Sequence, residues 1–248
     1  MGTNKIIVEV CVDSIDSALA AQQGGAERIE LCQSLSEGGT TPSFAMIEAA
    51  LRLLNIKAFV LIRPRGGDFL YNDTEFAIMQ MDIHCCGKMG CHGVVIGMLN
   101  VDGSIDVRRC AVLIDIAHQY NMQVTFHRAF DRCRDLSEGL GAIIDLGCER
   151  VLTSGGYPTA PEGAVVLRQL VSQSQERIIV MPGAGITPEN AAELVKNTRA
   201  KEIHGSFRSA YSSEMVYHNP HVKEDVAPLW RTDPEKVRKI IMINWEYC

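Results

Sequence analysis

No stretch of this chain approaches the roughly 20 consecutive apolar residues that a membrane-spanning helix requires, so no membrane partner is expected. No low-complexity segment or flexible linker divides it. Met1–Lys5 is short and polar and runs directly into an apolar stretch, without the charged and apolar regions of a secretory leader. A basic excess is missing as well: 24 lysines and arginines face 30 acids, for a net charge of −6. That balance argues against a nucleic-acid partner, which would need a basic face. Disulfide scaffolding is also not expected, because a chain of 248 residues can bury a substantial core without staples. Its nine cysteines, an odd number, read as reduced thiols in a cytoplasmic protein, most of them acting as small buried hydrophobes.

What is present is an even alternation of short apolar runs and helical patterns. The runs are Ile6–Val12, Arg28–Cys32, Ala58–Ile62, Gly93–Met98, Gln123–Phe126, Arg150–Leu152, Ile178–Met181 and Lys201–Ser206. Between them lie helical segments, capped by Asp13 or Ser14, by Ser43 and by Asp73, with further ones over Asp106–Tyr120 and Asp135–Leu146. Thr187 and Pro188 read as cap and first residue of the seventh helix, and Asp233-Pro234 opens a last one through Met242. Such alternation implies parallel strands. Eight units in this length imply an α/β fold with a single (β/α)₈ TIM barrel over residues 1–248, an open doubly wound sheet being the alternative. Ser206–Thr232 lacks clear periodicity and reads as a loop over the barrel mouth, a candidate lid.

In a barrel, alternate strand residues face inward and ligands sit at the C-terminal strand ends. Parity then places an unusually polar set inside: Glu9, Cys11, Glu30, Cys32, Arg63, Thr125, His127, Glu202 and His204. Buried charges must be paired, and Arg63 reads as the partner of Glu9 or Glu30. The stretch Arg63-Pro64-Arg65-Gly66-Gly67-Asp68-Phe69 follows the third strand. Its arginines suit a carboxylate or phosphate, and Arg65 reads as the freer of the two to meet a ligand. Backbone amides of Ser154-Gly155-Gly156 and Gly183-Ala184-Gly185 form a second candidate anion site. His127 reads as an acid/base group or a metal ligand, with Asp131 orienting its ring. No lysine ends a strand, which argues against Schiff-base chemistry.

Cys11 and Cys32 fall at similar heights on neighbouring strands, either as a thiol pair suited to Cu(I) or as two buried free thiols. The dense set His84-Cys85-Cys86 with Cys91-His92 lacks zinc-motif spacing and reads as a helix end with chance thiols.

Taken together, EVCVDS, GGAERIELC, SEGGTTPS, IRPRGGDFLY, VTFHRAFD, RVLTSGG, VMPGAGIT and EIHGS resemble the CutC copper homeostasis family, from about Val8 to Ser206. The resemblance implies a cytoplasmic (β/α)₈ barrel, with eukaryotic members also in the nucleus, assembled as a homodimer or homotetramer. It also implies that copper, as Cu(I), is bound at Cys11 and Cys32. The tail YSSEMVYHNPHVKEDVAPLW departs from the family pattern. Two functions follow. One is copper homeostasis through that thiol pair. The other is an enzyme of lyase, epimerase or isomerase type acting on a small anionic or phosphorylated metabolite. In the enzyme, Arg63, Arg65, Ser154, Gly155, Gly183 and Gly185 would bind the anion, and Glu30, His127 and Arg63 would carry the chemistry.

Overall fold

The structure is a computed structural model and describes residues 6–217, 219, 221, 228–243 and 245. Eight strands make the main sheet: β1 (Ile7–Val12), β2 (Arg28–Leu31), β3 (Lys57–Leu61), β4 (Gly93–Ile96), β5 (Gln123–Phe126), β6 (Arg150–Thr153), β7 (Ile179–Pro182) and β8 (Glu202–Gly205). All neighbours are parallel, in the order β7-β6-β5-β4-β3-β2-β1-β8. A parallel bridge between Gly183 and His204 joins the two ends of the sheet and makes it a barrel. The helices α1 (Ile15–Gly24), α2 (Phe44–Leu53), α3 (Asp73–Met89), α4 (Val107–Gln119), α5 (Leu136–Asp145), α6 (Ala164–Ser174), α7 (Ala191–Thr198) and α8 (Pro234–Ile241) follow the strands in turn. The expected TIM barrel is what the chain forms.

The period-2 alternation of a strand produces two separate cores. Val8, Val10, Val12, Ile29, Leu31, Val60, Val94, Ile96 and Val124 point outward and are buried under the helices. Facing the axis, Cys11, Cys32, Phe59, Leu61 and Val95 form a small apolar cluster of their own. The polar inward residues lie above and below it.

Local details differ from expectation in three places. The cap of α3 is Asn72 rather than Asp73: its side chain accepts from Glu75 N–H while Glu75 reaches back to Asn72 N–H, a reciprocal capping box. Helix α7 starts at Ala191, not Pro188, because the Asn190 side chain accepts from Thr187 N–H at 2.9 Å and donates to the Gly185 carbonyl at 2.9 Å, closing a turn first. The stretch read as aperiodic, Ser206–Thr232, begins and ends in strands. β9 (Arg208–Tyr211) pairs antiparallel with β10 (Leu229–Thr232), and Arg231 stacks 4.7 Å from the Tyr211 ring. Two four-residue strands far apart in sequence carry too little alternation to be read in advance. The middle of the lid expectation, at 218, 220 and 222–227, lies outside the described residues.

Candidate functional site

The bottom of the barrel interior is an ion-paired layer. Arg28, 4 % exposed, donates to Glu9 and to Glu202, and Arg150 Nε donates to Glu202 at 3.1 Å. Both guanidinium groups stand 5.1 Å from the centre of the Phe59 ring. Burial pushes the Glu9 carboxyl up, but the Arg28 charge and the His204 imidazole outweigh it and hold it at about 2. This layer corrects the pairing of Arg63 with Glu9 or Glu30. Glu9 lies directly across the ladder from Arg28, so the shorter reach wins. Arg28 has the same parity as Glu30 and Cys32, so its inward position was legible but not drawn. Arg150, on β6, was missed in the same way.

Above it lies a mixed layer of thiols, acid and imidazole. Cys11 Sγ is 3.6 Å from Cys32 Sγ, and the Cys32 thiol donates to the Val12 carbonyl at 3.4 Å. His204 Nδ1 is 2.8 Å from Glu9 Oε1 and its Nε2 is 3.7 Å from Glu30 Oε2. One ligand atom from each of Cys11, Glu30 and His204 lies within 4.8 Å of the others. It is the one such three-donor group among the described residues. Burial favours a neutral His204. Its hydrogen bonds to Cys11 and to the Glu9 carboxylate and the charges of Glu30 and Glu9 overcome it and hold the imidazole well above its usual range. Burial raises the Glu30 carboxyl against the pull of His204. The hydrogen bond to Cys32, together with burial, pushes the Cys11 thiol up.

These layers open into a cavity of 570 Å³ at the C-terminal strand ends. Arg63, Phe69 and His127 line one wall, and Ala184, Gly185 and Thr187 line another, with Lys236 and Lys239 from α8 at the rim. Gly97 leaves room for the His127 ring: a Cβ there would sit 2.5 Å from ring atoms Cε1 and Nδ1. Gly39 has φ +88 and turns its carbonyl to Arg63 NH1 at 2.6 Å. His127 is not oriented by Asp131. Its Nδ1 accepts from Ala129 N–H at 3.1 Å.

Asp131 instead accepts from Ser154 N–H at 3.0 Å, Gly156 N–H at 3.1 Å and the Thr153 hydroxyl at 2.5 Å. The glycine-rich turn after β6 thus already holds a carboxylate of the chain itself, and Gly155 N–H donates to Thr153 Oγ1 at 2.9 Å. Gly183 N–H is taken by the Thr153 carbonyl at 3.0 Å. Arg65 does not line the cavity. It pairs with Glu75 at 2.6 Å and Asp68 at 2.9 Å, because β3 ends at Leu61 and strand parity no longer governs position 65. At the thiol-rich end of α3, His84 meets the Tyr120 hydroxyl at 3.3 Å and His92 Nδ1 accepts from Ala58 N–H at 3.3 Å.

One family model, that of the CutC family, matches residues 6–209. The chain belongs to the CutC family. A CutC family protein from Vibrio vulnificus is 52 % identical over 210 residues, covering 85 % of this chain and 84 % of that one. A human copper homeostasis protein cutC homolog is 46 % identical over 219 residues, covering 88 % and 80 %. Among solved structures, a CutC protein from Streptococcus agalactiae superposes with a TM-score of 0.77 at 32 % identity, covering 81 % of this chain and 98 % of that one. This CutC chain is therefore a member of a copper homeostasis family, with a Cys/Glu/His group on the barrel axis.

Proposed function

We propose that this CutC chain binds Cu(I) through Cys11 and Cys32 at the floor of the cavity. The observation that carries the reading is the 3.6 Å separation of the two thiols, both facing the barrel axis. Soft thiolates select Cu(I) over the harder divalent ions. The Cys11 thiol is pushed up by its hydrogen bond to Cys32 and by burial, so copper must displace a proton there, and binding weakens as pH falls. The His204 imidazolium beside Cys11 offsets the charge of a bound thiolate pair. The proposal extends to a cytoplasmic location, where reduced thiols persist, in keeping with eight free cysteines among the described residues. It extends also to a homodimer or homotetramer, for which the exposed Tyr211, Leu229 and Trp230 of the β9–β10 ribbon offer an apolar surface.

The test is an anaerobic Cu(I) titration against a competing chelator, with wild type beside a Cys11→Ser/Cys32→Ser variant. One copper per chain is expected for wild type and none for the variant. Equal stoichiometry and affinity in both would sink the reading.

A second reading, an enzyme acting on a small anionic metabolite with Glu30, His127 and Arg63 at its centre, is favoured by the size of the cavity. A space of 570 Å³ far exceeds what a metal ion occupies and lies in the range of small-molecule sites.

A further inference from the structure

Arg63 differs from the other buried arginines of the barrel. Arg28 and Arg150 meet carboxylates, whereas Arg63, 4 % exposed, donates to the backbone carbonyls of Glu37 at 2.9 Å, Gly39 at 2.6 Å and Gly67 at 2.9 Å and has the neutral Tyr71 hydroxyl beside it. It forms no ion pair among the described residues, and its Nε has no hydrogen-bond partner. The nearby acids Asp68 and Glu75 are engaged by Arg65. A buried charge left without a counterion is costly and persists where something supplies the opposite charge.

His127 shares this wall. Its Nδ1 accepts from Ala129 N–H, so the proton of the neutral ring sits on Nε2, which makes that atom a donor. Nε2 too is buried without a partner. Burial and the Arg63 charge keep the ring neutral, down to about 3. Phe69 touches both groups: Arg63 Cζ lies 5.0 Å from its ring centre and the His127 ring lies 5.0 Å from it. All three side chains line the same cavity.

We infer that the β3–β5 wall of the cavity is a binding site for a small organic carboxylate, which accepts from Arg63 Nε and His127 Nε2 once the Phe69 ring turns aside. The uncompensated charge of Arg63 and the N–H donors at Arg63 Nε and His127 Nε2 match a planar carboxylate with two acceptor oxygens. The inference rests on the second reading only in taking the cavity as a metabolite site, and it is decided by binding rather than turnover.

The experiment is calorimetry on the full chain with succinate and 2-oxoglutarate as probes, succinamide as the neutral control and inorganic phosphate as the non-planar one. Wild type is compared with Arg63→Gln and His127→Asn. Asparagine keeps an acceptor for Ala129 N–H and lacks the Nε2 donor. Thermal melting checks that both variants fold. The carboxylates are expected to bind wild type, with affinity roughly tenfold or more weaker in each variant, and succinamide is expected not to bind. In ¹⁵N-labelled wild type, saturation with 2-oxoglutarate should shift the His127 Nε2 resonance. No binding of either carboxylate, or equal affinity in wild type and folded variants, overturns the inference. So does phosphate binding tighter than the carboxylates and indifferent to both substitutions, an outcome that leaves the second reading standing. Should either variant fail to fold, an unmoved His127 resonance in wild type overturns it alone.

Discussion

His204 and His127 border one cavity, three strands apart around the barrel, and are held in opposite states. His204 sits on an acid-rich wall, between Glu9 and Glu30, and is held as an imidazolium. His127 sits on a basic wall, beside Arg63, with a backbone N–H on its Nδ1, and is held neutral. The same side chain at the same depth thus takes its charge from its neighbours. The two walls differ in how their arginines are used as well. On the acid-rich side every buried guanidinium is compensated by a carboxylate, and on the basic side Arg63 is not.

The largest effect that can break this contrast comes from deleting the arginines. Arg28→Ala leaves Glu9 and Glu202 buried without their shared partner and is expected to cost about 3–5 kcal/mol in urea unfolding. Arg63→Ala strands no acid and is expected to cost clearly less. Equal losses would show that Arg63 is compensated after all.

The next effect is in acid. Glu9 is depressed to about 2, so its contribution is full above the ordinary value of 4.5 and is lost as pH falls towards 2. His127 is depressed to about 3, so the folded chain loses stability as pH falls from 6.5 towards 3. At about 1.36 kcal/mol per pH unit these are worth on the order of 3 kcal/mol for Glu9 and on the order of 5 kcal/mol for His127. Glu30, being raised, works in the opposite sense and favours the folded chain as pH falls. His127→Asn should therefore flatten the stability profile between about pH 6.5 and 4.5, and Glu9→Gln only below that. Imidazole ¹⁵N spectra at neutral pH should show His204 protonated on both nitrogens and His127 on Nε2 alone. A protonated His127 would erase the contrast.

Smaller is the packing that seats the neutral ring. Gly97→Ala places a Cβ 2.5 Å from the His127 ring, and thermal unfolding should report a loss of about 1–3 kcal/mol. The smallest effect is expected from Arg65→Ala. Its pairs with Asp68 and Glu75 are partly exposed, so urea unfolding should shift by less than about 1 kcal/mol and carboxylate binding should not change. A large loss of binding there would return Arg65 to the cavity.

Much of this was legible along the chain. Strand parity alone brought Glu9, Cys11, Glu30, Cys32, Thr125, His127, Glu202 and His204 inside, and all are buried. Parity also places Arg28 inside, on the face of Glu30 and Cys32. It failed at Arg65, four residues beyond the end of β3 at Leu61. It was silent on Asp131, whose carboxylate fills the turn that the glycines after β6 seemed to leave for a ligand.

The amino-acid order by itself determined the eight-fold alternation, the parallel barrel it implies and the polar character of the inward face. These are local properties: a strand alternates every two residues, and a cap or turn is read within a few positions. Only the tertiary structure decided which acid each arginine meets, which histidine carries a charge, and that Arg63 meets no acid among the described residues. Those outcomes depend on the ladder register between strands and on where each strand stops, and residues 28 and 9, or 127 and 63, come together only when the strands assemble side by side.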